Sequence, residues 1–109
     1  MINKPFELPM EIQMGCRNIT IEMCDELVFD DDSTGEASHR RNRIRIQNSS
    51  KAYPIQRVIQ VETYFHELLH FALDIAEYKE LNNNEDFVNR VAGFLAQAAL
   101  SARYGGKKS

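Results

Sequence analysis

Residues 63–75 read Thr63-Tyr64-Phe65-His66-Glu67-Leu68-Leu69-His70-Phe71-Ala72-Leu73-Asp74-Ile75, inside a stretch from about Pro54 to Tyr78 with no internal glycine or proline. Apolar residues recur there at helical spacing. Val61, Phe65, Leu68, Ala72 and Ile75 form a stripe predicted to pack on a sheet, while Ile59, Glu62, Thr63, His66, His70 and Leu73 occupy the other face. His66 and His70 stand four residues apart, so they project from nearly the same side of the helix, one turn from each other. Two imidazoles so placed can share one metal ion. Glu67, about 100° round the helix from His66, can reach a water on that ion. The plain alternative is a helix with two incidental histidines.

Outward from this helix, the first half of the chain reads as β-structure. Ile12 and Met14 alternate with polar residues before a turn at Gly15, and Ile19, Ile21 and Met23 alternate with Thr20 and Glu22. Asp30-Asp31-Asp32-Ser33-Thr34-Gly35 reads as a polar loop. It lacks the distal glutamate of a calcium-binding loop, so a solvated turn is expected. Arg43-Ile44-Arg45-Ile46 reads as a third strand, ended by Asn48-Ser49-Ser50. After the histidine helix a break falls at Leu81-Asn82-Asn83-Asn84. A second helix is expected from about Glu85 to Ala102, with Val88, Val91, Leu95 and Ala98 as its core stripe. The fold class is therefore α+β: a short antiparallel sheet followed by a histidine-bearing helix and a C-terminal helix.

Length and composition fit one domain, residues 1–109, with frayed ends at about 1–8 and 104–109. At 43% hydrophobic and 27% charged residues the composition is that of a soluble globular chain. A net charge of −3 leaves no basic field to recruit nucleic acid, which is not an expected partner. No apolar run approaches a membrane span, and Met1 to Pro9 has no apolar segment of a signal peptide, so the cytoplasm is the expected compartment. Cys16 and Cys24 are expected to be free thiols there.

A helical H-E-x-x-H is the arrangement of a zinc hydrolase, and a catalytic zinc site needs a third protein ligand beside a water. The candidates are Asp74, Glu77, Glu80, Glu85 and Asp86. Asp74 and Glu77 lie about 12 and 16 Å beyond His66 on the same helix, too far for their short side chains. Glu80 lies in that helix's fraying end. Glu85 opens the next helix after a tight turn, so an antiparallel return brings it over the histidines; Asp86 is the next choice. Asn89, Ala92, Ala96 and Ala99 share the Glu85 face, and the three alanines allow two helix backbones to approach closely. Asn89 is placed to hydrogen-bond a ligand.

With Glu85 in place, His66-Glu67-Leu68-Leu69-His70 resembles a gluzincin-type zinc metallopeptidase. The layout resembles the small phage-type zincins related to the ImmA/IrrE family: a short hairpin, Gly35-Glu36, Arg43-Ile44-Arg45-Ile46, Thr63 to His70, then Glu85-Asp86-Phe87-Val88-Asn89-Arg90-Val91-Ala92. The resemblance covers most of residues 10–100. It implies a small zincin-like domain that cuts a peptide or protein substrate, with Zn2+ held by His66, His70 and Glu85 and with Glu67 as catalytic base. The larger gluzincins carry aspartate where this chain has Asn89.

In that reading a zinc-bound water attacks the scissile carbonyl, and Glu67 passes its proton to the leaving amine. His39, Tyr53 and Tyr104 are the candidate donors to the oxyanion. The Arg40-Arg41-Asn42-Arg43-Ile44-Arg45 run either steers an acidic substrate or forms a solvated strand face. Were that strand at the sheet edge, a substrate peptide could add to it. The reading from another class is a catalytically silent zincin-fold module that binds a protein partner, with a structural metal or none.

Overall fold

A computed structural model describes residues 2–3, 6–27 and 34–105 of the chain. In chain order the elements are β1 (Ile2–Asn3), β2 (Glu11–Met14), β3 (Arg17–Cys24), β4 (Gly35–Ser38), β5 (Arg43–Gln47), α1 (Arg57–Ile75), α2 (Lys79–Asn82), α3 (Glu85–Ser101) and β6 (Arg103–Tyr104). The α+β class holds. The ends expected to fray are partly paired, since Ile2 lies opposite Tyr104 and Asn3 opposite Arg103.

The main sheet has the order β2-β3-β5-β4. Gly15, at φ 62, makes the turn of the β2–β3 hairpin, a conformation open to glycine at little cost. β3 and β5 run parallel, so the sheet is mixed rather than antiparallel throughout; the β2–β3 and β4–β5 pairs are antiparallel. The cause is β4, a strand that the composition of Gly35-Glu36-Ala37-Ser38 conceals. The chain first lays β4 at the edge and then returns through a hairpin to insert β5 beside β3. Gly35 thus opens a strand instead of ending a loop, while Asp30 to Ser33 lie outside the described residues. β5 is internal and cannot accept a peptide strand; β4 is the edge beside it.

Alternation sends Ile19, Ile21, Ile44 and Ile46 to one face, where they meet α1. The helix answers with Tyr64 and Phe71, both buried, and with Leu68 at the margin, while Val61 is fully buried outside this cluster. Phe65 is only partly buried, on the flank where Phe6 packs against it and against Tyr64, with ring centroids at 5.7 and 6.2 Å. The sheet-facing stripe is therefore rotated from the expected Val61-Phe65-Leu68-Ala72-Ile75 line, because the large rings of Tyr64 and Phe71 fill the space over the isoleucines. Each fully buried Ile or Phe contributes about 1.5–3 kcal/mol.

α1 is shorter than the uninterrupted sequence suggests. It stops at Ile75, with Glu77 at φ 66. The Tyr78 N–H bonds the Leu73 carbonyl and the Glu77 N–H bonds the Asp74 carbonyl, closing the helix with a left-handed residue that is not glycine. α2 then turns the chain. Asn84 caps α3 by accepting from the Phe87 N–H at 3.0 Å, and Glu85 and Asp86 complement the N-terminal dipole. α3 packs on α1 through Val88, Ala92 and Ala96, all buried; Leu95, expected in the core stripe, is 41% exposed. Thus the alanine row is the packing face. Among the described residues, no helix is long and apolar enough to cross a membrane.

Candidate metal centre

His66 and His70 lie on the side of α1 that α3 covers, and Glu85 stands in the first turn of α3. Their potential ligand atoms all fall within 4.8 Å of one another. His66 Nε2 is 3.4 Å from Glu85 Oε1, and His70 Nε2 is 3.2 Å from Glu85 Oε2. The imidazole centroids are 4.8 Å apart, with planes inclined by 72°. Both histidine side chains are largely covered (23% and 16% exposed), whereas Glu85 is 62% exposed, so the cluster opens to solvent on the carboxylate side.

Hydrogen bonding orients the His70 ring. Its Nδ1 lies 2.6 Å from Asn82 Oδ1, an oxygen that only accepts, so Nδ1 carries the proton. In neutral His70 the Nε2 lone pair then faces a carboxylate oxygen at 3.2 Å. Two acceptors at that distance need a cation between them, either a proton or a metal. Two imidazoles and a carboxylate are a donor set that suits zinc. The ligand atoms of this set, which reach two different oxygens of Glu85 and spread to 4.8 Å, stand close enough to hold a metal ion.

Asn82 was not among the expected residues. The expected ligand partner, Asn89, lines the cleft beside His66 and Glu67. Asn82 does that work because α2 carries it back to the C-terminal side of the histidines. Its only mark in the sequence is its place in an asparagine-rich turn, which reads equally well as a breaker.

The remaining acids stand away from the histidines, two of them engaged elsewhere. Asp74 takes His39 Nδ1 at 3.3 Å and Arg17 at 3.7 Å. Asp86 pairs with Arg90, with Nε–O distances of 3.2 and 3.1 Å. Glu77 and Glu80 are exposed on the turn and on α2. Of the five candidates, the converging group contains Glu85 alone.

Glu67 lines a cleft of about 400 Å³ adjoining His66. Burial pushes its carboxyl above the ordinary carboxylate range, and Glu85 adds to this, while His66, His70 and His39 oppose it. Among the candidate oxyanion donors, Tyr104 sits in β6, and neither Tyr53 nor Tyr104 lines the cleft. His39 is held by Asp74 and stacks on Phe71, with centroids at 4.3 Å. Cys16 and Cys24 are unpaired thiols, and Arg45 donates to Cys24 Sγ at 3.0 Å. The chain matches no family model, no curated protein and no solved structure in the comparisons made.

Proposed function

We propose that the chain is a zinc-dependent peptidase in which His66, His70 and Glu85 hold the ion and Glu67 is the general base and acid. The observation that carries this reading is the convergence of His66 Nε2, His70 Nε2 and the Glu85 carboxylate, with nitrogen–oxygen separations of 3.4 and 3.2 Å. When bound, zinc supplies Lewis acidity and lowers the pKa of a water towards about 7.

The chain's own groups account for the rest. Asn82 locks the His70 ring with Nε2 inward. Glu67, set in the cleft wall beside His66, removes a proton from the attacking water and delivers it to the departing amine. Its desolvation makes it a stronger base than an exposed carboxylate. A purely structural metal site has no use for such a base, which favours the enzyme over the silent binding module. The substrate is a peptide or protein, and β4 is the edge to which an extended segment would add. Two unpaired thiols accord with a reducing compartment such as the cytoplasm.

Metal analysis of the pure protein should find one zinc per chain, lost in His66→Ala and in Glu85→Ala. Full zinc in Glu85→Ala would move the third ligand elsewhere. Glu67→Gln should keep zinc and fold while peptide hydrolysis falls by about 10²–10⁴-fold. If that variant retains its biological activity, peptide hydrolysis is not the function.

A further inference from the structure

The cleft beside His66 extends towards the N-terminal part of α1, and the chemistry of its wall selects a ligand. Thr63 Oγ1 donates to the Ile59 carbonyl at 2.8 Å. Its single proton is thereby used, so in its contact with Thr34 Oγ1 at 3.4 Å it is Thr34 that donates. Thr63 therefore turns only lone pairs to any further partner, and Thr34 does so while it donates to Thr63. Glu62 and Glu67 add carboxylates to the same wall. Among the described residues no lysine or arginine lines the cleft and Glu62 has no ion-pair partner. The wall is thus rich in acceptors and negative in charge.

Its position relates it to the metal centre. Glu62 lies one turn before His66 on the same face of α1, a rise of about 6 Å. An extended peptide advances about 3.3 Å per residue, so a side chain one or two residues from a bond held at Glu67 reaches Glu62. The volume of about 400 Å³ admits one long side chain. Arg40 and Arg41, which would favour an acidic substrate, do not line this cleft.

We infer that this cleft is a subsite for a cationic side chain, arginine or lysine, one or two residues from the bond that is cut. The position relative to a cut bond rests on the peptidase reading; the preference for a cation rests on the wall alone.

The test uses full-length Glu67→Gln protein, zinc-loaded, so that peptide is consumed at least about 100-fold more slowly and Glu62 is left as the carboxylate of the wall under test. Binding is measured by calorimetry for extended peptides identical but for one residue: arginine, lysine, norleucine or glutamate. Arginine and lysine peptides should bind about fivefold more tightly than norleucine, as expected for an ion pair open to solvent, with glutamate weakest. Adding Glu62→Gln should abolish the preference, and salt should weaken it. Glutamine matches glutamate in helix propensity, so α1 is preserved. Equal binding of arginine and norleucine peptides, a preference that survives Glu62→Gln, or no binding of any peptide overturns the assignment. Cleavage by the wild-type protein is scored separately. A cationic preference without cleavage removes the peptidase reading and keeps the subsite, and cleavage without the preference does the reverse.

Discussion

The two long sides of α1 are built on different principles. Towards the sheet, Tyr64 and Phe71 press large rings onto Ile19, Ile44 and Ile46. Towards α3, the partner surface is Ala92 and Ala96, small residues that let the helices close up, and the end of that interface carries His66, His70 and Glu85. One side fills volume and supplies most of the apolar burial. The other minimises volume so that polar groups from two helices come within ligand distance. Stability and chemistry are thereby separated by half a turn of one helix.

The sharpest way to break this division is Phe71→Ala. Its side chain is fully buried in the sheet-facing cluster, so truncation should destabilise the fold by about 3–5 kcal/mol in denaturant titration. Zinc stoichiometry of the folded fraction should stay unchanged. A comparable loss of zinc would show that the two sides are not independent. Ala92→Leu attacks the other side. Overpacking should cost about 1–3 kcal/mol and push α3 away, so zinc affinity should fall along with stability. Unaltered zinc affinity would mean that close helix approach is not what sets the ligand spacing. Asn82→Ala is the finest probe. It should leave thermal stability of the metal-free protein little changed while lowering zinc affinity by about 10–100-fold. An equal affinity would deny Asn82 its part in orienting His70.

The legibility of the chain follows the same division. His66, Glu67 and His70 stood out because four-residue spacing on a helix is a local property. Glu85 was reachable through the length of a helical rise and the tightness of the following turn. The strands β2, β3 and β5 announced themselves by alternation, but β4 did not, since Gly35-Glu36-Ala37-Ser38 has no β-branched residue and is held by pairing with β5. Without β4 the parallel β3–β5 pair could not be inferred. The core stripe of α1 was misplaced because ring size, not periodicity, decides which residues meet the isoleucines. The C-terminal stop at Ile75 escaped notice because the left-handed residue is Glu77 rather than glycine or asparagine. Asn82 was hidden because its role arises only once α2 has folded back.

The turn that begins at Glu77 has a consequence for the tolerance of this chain to change in length. Surface connections usually accept extra residues at little cost. Here the stretch from Glu77 to Val88 acts as a gauge block: its turn part sets where α3 starts, and its helical part sets the phase of Glu85 against the packing face of Val88, Ala92 and Ala96. One residue added between Glu85 and Val88 would offset Glu85 by about 100° from the face that packs on α1 and carry its carboxylate off the histidines. Apart from Glu77, Asn82 and Asn84, the turn residues are free to vary in kind, whereas the number of residues is part of the geometry that brings His66, His70 and Glu85 together.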